Sequence, residues 1–313
     1  MRRSPDGSLR SAKDGRAADG RSARRVSAVS KCPTAARLFS FPLLSYRPMA
    51  GAGTSAAAPP SRGPRPATAL RIGLLIPLRG PAGIWGPSAH KCATLAVDEI
   101  NGGGGVLGRE VRLVLSDAGG APAAVAAAAR ELVDEHGVEA IVGMHISAVR
   151  VAVARALKGR VPFVYTPLYE GGERSPGVFA VGETPEQQLR PAITWLAERR
   201  RARRWYLIGN DYVWPRVSHA AAKHYIAQCG GEVLGEEYVP LGSDDFAASL
   251  ARIRAAKPHA VLIWLVGGDG VAFHRRFAAE GVAGNHLRLC SALDENALLG
   301  VGAENAENLF AAS

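Results

Sequence analysis

Between residues 69 and 290, short unbroken apolar runs alternate with segments whose apolar residues recur at helical spacing. ALRIGLLIPL (69–78) is one such run, VRLVLSD (111–117) the next, then EAIVG (139–143) and VPFVYT (161–166). A strand that is apolar throughout belongs in a sheet covered on both faces. Between these runs lie helical segments at 87–101, carrying Cys92, Leu95, Ala96 and Ile100, at 122–136, and from about Ser147. After an interruption at GETPEQQ the order resumes with helices at 186–200, 215–229, 244–256 and 270–281 and strands at 204–209, 232–239, 259–265 and 287–290. Repeated β-α units with short connections predict parallel sheets flanked by helices. About ten strands overfill one open sheet, so the pattern predicts two lobes divided near 182–188.

The charge is not spread over this pattern. Residues 1–68 hold 13 Arg/Lys against 3 Asp/Glu, and residues 69–313 hold 25 against 25, so the formal charge of +10 belongs to the N-terminal segment. A nucleic-acid reading of the body loses its support. The segment is poor in apolar residues and reads as disordered. LFSFPLL (38–44) is a poor secretory core, interrupted by Pro42 and far from the N-terminus. A late signal and a basic arm for nucleic acid are the other readings; the composition favours a start of translation downstream, for example at Met49. No run of about 18 apolar residues occurs, so the sequence predicts no membrane span. The four cysteines, Cys32, Cys92, Cys229 and Cys290, lie too far apart for zinc or redox motifs. A single disulfide stays open, and Cys92 fits a core-facing stripe.

Ligands of such sheets bind beyond the carboxyl ends of the strands. The loops there read RGPAGIWGPS (79–88), MHIS (144–147), PLYEGGERSP (167–176), NDYVWPR (210–216) and VGGDG (266–270). Gly80-x-x-Gly83-x-x-Gly86 is not the G-x-G-x-x-G of dinucleotide sites, and Pro81 and Trp85 stand where a pyrophosphate would need bare backbone. No P-loop, G-x-S-x-G or H-E-x-x-H motif is present, and the histidines do not pair at metal spacing. Catalytic machinery, cofactor and metal are therefore not expected. Tyr212 and Trp214 occupy a turn where small polar residues are usual; they either wall a ligand or cap the core.

The segment from Arg71, with DEINGGGGVLGR (98–109) and the strand-end Asp117, resembles the type I periplasmic binding proteins, the leucine/isoleucine/valine-binding superfamily. TPLYEGGERSPGVF (166–179), LIGNDYVWPR (207–216) and YVPLGSDDF (238–246) resemble its amide- and urea-binding branch. That branch includes urea and short-chain amide receptors of ABC importers and a cytoplasmic sensor regulating aliphatic amidase. The resemblance implies an α/β fold of two lobes closing on a small polar solute: an amide, urea or an amino acid. By motif, it assigns the ligand to His145, Ser147, Tyr165, Thr166 and Pro167 of the first lobe and to Tyr212 and Trp214 of the second. Ser147 would also cap its helix. A histidine stands at 145 where the branch carries another aromatic. The implied partner is an ABC permease or, in a sensor, a regulatory protein, with no nucleic acid; the location is extracytoplasmic, with the cytoplasm as the alternative.

In this fold the chain crosses between lobes three times. The expected lobes are 69–186 rejoined by 292–313, and 187–291, with the second crossing near 290–294. On that count the C-terminal part of the fold is missing.

Overall fold

A computed structural model describes residues 68–312; the expectations for the basic tail, Cys32 and Met49 lie outside the described residues. Ten strands form two five-stranded sheets, both parallel throughout. The first has the order β2-β1-β3-β4-β5, from Leu70–Ile76 (β1), Val111–Asp117 (β2), Ala140–Gly143 (β3), Phe163–Tyr165 (β4) and Val178–Ala180 (β5). The second has the order β10-β9-β8-β6-β7, from Arg204–Asn210 (β6), Glu232–Val239 (β7), Ala260–Trp264 (β8), Leu287–Cys290 (β9) and Leu309–Ala311 (β10). The chain passes from one sheet to the other between β5 and helix α4 (Pro185–Arg199).

The second sheet is covered on both faces, as its apolar runs require. Trp205, Leu207, Leu262, Trp264 and Leu289 pack with Leu189, Ile193 and Leu196 of α4 and Ala222 and Ile226 of α5 (Val213–Gln228). The alternate residues Tyr206, Ile208, Val261, Ile263 and Cys290 pack with Leu250 and Ile253 of α6 (Ala247–Ala256) and Phe273 and Phe277 of α7 (Gly267–Ala279). Period-two alternation thus sorts one apolar run into two cores. Pro185 at the first turn and the reciprocal Thr184–Gln187 capping box fix where α4 begins.

The first sheet has one such core. Leu75, Ile141, Phe163 and Tyr165 meet Val125, Ala129 and Leu132 of α2 (Pro122–Asp134) and Val149, Val153 and Leu157 of α3 (Ser147–Leu157). The opposite face carries α1 (Gly86–Gly102) against β1 and β2. The stripe expected to face the core does not: Cys92 and Ala96 are exposed, Leu95 is 59% exposed, and the half-buried side is that of Ala93, Val97 and Asn101. Helical spacing gives the period of a stripe; which stripe turns inward depends on what packs there. Across the same face Leu115 and Phe179 are also exposed. The glycine run ends α1 as expected, and Gly105, at φ 76°, lets the following turn close, because a Cβ there would lie 2.0 Å from the Arg109 carbonyl oxygen.

The segment 292–313 does not rejoin the first sheet. Helix α8 (Glu295–Val301) packs on α7, and β10 runs parallel to β9 with Leu309 opposite Arg288. The crossing expected near 290–294 is not there. Arg288 explains the hold: fully buried, its guanidinium donates to the carbonyls of Asn305 (2.6 Å) and Glu307 (2.7 Å), drawing β10 onto the edge of β9. Burial lowers its pKa to about 10, still far above neutrality. Cys92, Cys229 and Cys290 are free thiols.

Candidate functional site

A cavity of about 560 Å³ opens where the carboxyl ends of both sheets meet. The first sheet supplies residues 144–147 after β3, then Tyr165, Pro167 and Leu168 at the end of β4. Parallel pairing of Gly143 with Tyr165 brings these ends level. The second sheet supplies Tyr212 and Trp214 after β6, Val266 after β8 and residues 291–294 after β9. Trp85 closes the side from the loop between β1 and α1. That loop is a 3-10 turn (Pro81–Trp85) that reaches across to the second sheet. Its Pro81 carbonyl sits against Gly267 of α7, at φ 47°, where a Cβ would come within 2.2 Å of the oxygen.

Gly209 performs a similar task inside the second sheet. A Cβ there would lie 2.7 Å from Pro215 and 3.3 Å from Trp264, so only glycine lets α5 start this close to its strand. Tyr212 precedes α5 in extended conformation and packs on Trp214, ring centroids 6.2 Å apart. Trp214 is buried in the second sheet's core while one edge lines the cavity, so it caps the core and walls the cleft at once. The Tyr212 hydroxyl is held protonated: burial raises its pKa well above the ordinary value, reinforced by Tyr165, Glu170 and Asp269.

On the first lobe the five expected positions separate. Tyr165 donates its hydroxyl to the His145 carbonyl (2.6 Å), with Ser147 Oγ 3.5 Å away. His145 lines the cavity through this main chain, but its ring is turned into the core. The ring stacks at 5.8 Å from Phe163 and 5.3 Å from Tyr165, and a Cβ on Gly143 would lie 2.6 Å from its Nε2. Desolvation lowers its pKa to about 4, so it is neutral at neutral pH. Ser147 is the first residue of α3 and Ile146 the cap, so the expected hydroxyl cap is not formed. Thr166 does not line the cavity. Its amide and hydroxyl both bond the Gly143 carbonyl, at 2.9 and 3.2 Å, and tie the end of β4 to β3. Pro167 lines it.

Below the cavity floor a buried Arg150 donates to Glu170 (2.7 Å) and forms an ion pair with Glu173 (2.8 Å), while its guanidinium lies 5.2 Å from the Tyr165 ring centre and 5.1 Å from that of Tyr169. The loop 167–176 is thereby pinned to α3. Two carboxylates in the loops at this end of the second sheet, Asp211 and Asp269, are engaged elsewhere and do not offer themselves to an ammonium group. Asp269 accepts from Asn210 Nδ2 (2.7 Å) and the Gly242 amide (2.8 Å), and Asp211 pairs with Arg216 (2.6 Å). Asp294 lines the cavity but caps α8 through the Ala297 amide (2.8 Å). Glu295, Ser147 and Ser291 add side-chain polar groups to the lining, and main chain supplies the rest. Helices α3, α5 and α7 all start at residues that line the cavity or flank it and lack a side-chain cap, which places the positive ends of their dipoles on that side.

Besides the charged Asp294 and Glu295, the sequence reading omitted Trp85, Met144, Ile146, Leu168, Val266, residues 291–293, Leu298 and Ala311. The rule of strand carboxyl ends reaches most of them; their chemistry alone, apolar or small, marks none. Ser291 is buried and its hydroxyl has no partner. Among the described residues no group of three His, Cys, Asp or Glu is placed to hold a metal ion, and no helix is long and apolar enough to cross a membrane.

Residues 69–313 match the family described as Periplasmic binding protein. The chain belongs to that family. A Leu/Ile/Val-binding protein of Rhizobium johnstonii is 30% identical over 194 residues, 60% of this chain and 52% of the relative. A Leu/Ile/Val-binding protein homolog of Brucella melitensis is 24% identical over 68% of this chain and 59% of its own length. This periplasmic binding protein therefore spans between half and two thirds of those curated relatives.

Among solved structures, the branched-chain amino acid transporter substrate-binding protein of Streptococcus pneumoniae, in complex with isoleucine, superposes with a TM-score of 0.67. It is 20% identical over 78% of this chain and 70% of that one. A solute-binding protein of an ABC transporter from R. palustris, in complex with benzoate, gives 0.65 at 19% identity over 75% and 66%. The resemblance to type I binding proteins stands, and so does the two-lobed α/β fold.

Proposed function

We propose that this chain is the substrate-binding component of an ABC-type importer and that it clamps one small solute between the two lobes by hinge closure. The observation that carries this reading is the cavity itself: aromatic and aliphatic walls from both sheets, and three uncapped helix N-termini converging on it. Such a site suits a solute with a flat or branched apolar body and one hydrogen-bonding, anionic end. An amino acid such as isoleucine, or an aromatic acid such as benzoate, has this shape, and solved structures of similar fold are in complex with each. A short-chain amide or urea is the second reading. The motifs at 166–179 and 207–216 favour it, and so does the engagement of Asp211 and Asp269, which leaves neither for an ammonium group. Against it, a molecule of that size leaves most of 560 Å³ unfilled. The partner is then a permease, and the place of action extracytoplasmic; the same clamp serves a cytoplasmic sensor with a regulatory partner.

Calorimetric titration of the purified chain with leucine, benzoate, acetamide and urea tests the ligand class. Binding of leucine or benzoate that weakens about tenfold in Tyr212→Ala supports the reading. Response to acetamide or urea alone shifts it to the amide branch, and silence from all four removes the small-solute clamp.

A further inference from the structure

The body of the chain is electrically balanced, yet five arginines crowd into six positions: Arg199, Arg200, Arg201, Arg203 and Arg204. All five are exposed, and none forms an ion pair among the described residues. Ten arginines elsewhere in the described chain do pair with carboxylates. The end of a helix attracts one or two cations through its dipole, which accounts for Arg199 and Arg200 at the close of α4. It does not account for Arg201, Arg203 and Arg204 beyond it.

Two features adjoin the cluster. Trp195, one turn earlier on α4, is 47% exposed and lies 5.8 Å from Phe310, over which the Arg200 guanidinium stacks at 5.4 Å. Next to it, a hollow of about 380 Å³ is lined by Arg190, Arg203, Thr194, Tyr225 and Gln228, with Glu198 at its wall. Cationic groups beside an exposed indole ring are what the headgroup layer of a bilayer accommodates, the charges meeting phosphates and the ring the glycerol level. The place of the cluster is equally informative. Arg204 begins β6 and Tyr212 follows its other end, about 20 Å away at ~3.3 Å per residue. The arginines and the cleft occupy opposite ends of the second sheet, while Phe310 lies nearer the cleft, next to Ala311 in its lining.

We propose that residues 195–204, with Phe310 and the adjoining hollow, form a docking surface for an anionic phospholipid membrane, separate from the solute site and usable while the cleft is open or closed. The surface keeps the chain at the bilayer by its far end and leaves the cleft free.

Trp195 provides the readout. Trp205, Trp214 and Trp264 are buried, Trp85 is half-buried, and residues 1–67 contain no tryptophan, so the basic tail cannot produce a tryptophan signal of its own. The full chain is mixed with vesicles of phosphatidylcholine, with and without one third phosphatidylglycerol, carrying brominated acyl chains. The expected result is quenching of tryptophan emission on the phosphatidylglycerol vesicles only. It should be abolished by Trp195→Phe and moved to about tenfold higher lipid, or beyond, by Arg199→Gln, Arg201→Gln, Arg203→Gln and Arg204→Gln combined. The pair Arg201→Gln, Arg203→Gln gives a smaller shift in the same direction and serves if the fourfold variant does not fold. Cosedimentation without quenching would place the contact in the tail and overturn the proposal. So would quenching that ignores the arginines, or quenching by single-stranded DNA but not by vesicles, which would assign the patch to nucleic acid.

Discussion

The two sheets have the same strand number, the same parallel pairing and similar apolar runs, yet one is enclosed and the other half-enclosed. The second sheet divides its side chains between two cores, one under α4 and α5 and one under α6 and α7. The first places one set under α2 and α3 and leaves the other beneath α1 alone, with Leu115 and Phe179 in contact with solvent. An apolar strand states what environment it suits; it does not state what delivers that environment. The same kind of run therefore holds different amounts of stability in the two lobes.

The comparison can be broken most forcefully at the buried ion pairs of the first lobe. Arg150→Ala leaves Glu170 and Glu173 buried without their cation and should cost about 3–5 kcal/mol by urea unfolding; a loss below about 1 kcal/mol would show that the loop 167–176 is held by other contacts. Next comes a matched pair of leucines. Leu262→Ala, in the doubly covered sheet, should cost about 3 kcal/mol, whereas Leu115→Ala should cost less than about 1. Equal costs would mean that the open face of the first sheet is covered in solution.

Acid should erode both lobes through histidine. Desolvation lowers the pKa of His145 and His219 to about 4 and that of His274 to about 3, from an ordinary 6.5. Below pH 6.5 the unfolded chain binds protons that the folded chain refuses, so stability falls with pH. Each histidine contributes up to about 1.4 kcal/mol per pH unit, until the folded form protonates near pH 4 for two and near 3 for the third. Two of the three lie in the second lobe, so its advantage narrows between pH 6.5 and 4. Urea midpoints at neutral and mildly acid pH measure this, and a flat profile would contradict the burial of all three rings.

At the cleft, Tyr212→Ala should weaken solute binding by about 1–3 kcal/mol with a small change in stability. Trp214→Ala should lose both, because that ring belongs to the second core as well. Tyr212→Phe separates ring from hydroxyl. The smallest effect is expected at Thr166→Val, whose side chain bonds Gly143 and misses the cavity; solute affinity should be unchanged in titration, and a tenfold loss would return Thr166 to the site.

The strands of both sheets were legible because continuous apolar runs bounded by loops leave little choice of element. The misses have physical causes. VFA of β5 is three residues long behind Gly177 at φ 74°, and nothing in so short a piece outweighs a loop reading. The stripe of α1 had the right period and the wrong phase. Residues 292–313 were assigned to the first lobe by family topology, whereas Arg288, an unremarkable letter within a strand, holds them to the second. For the site, the rule of strand ends found the cavity, but side-chain direction is not in the sequence. His145 and Thr166 sit at the right level and turn their functional groups inward.

The contact between the Pro81 carbonyl and Gly267 bears on how a clamp of this kind can diversify. The cavity walls are side chains, and exchanging one ring for another retunes what is held without disturbing the backbone. The seam is main chain against main chain, and the missing methyl at 267 is what allows it to close. Ligand choice and closing geometry are therefore inherited through separate parts of the sequence: the first is open to drift one wall at a time, and the second is gated by a single hydrogen atom.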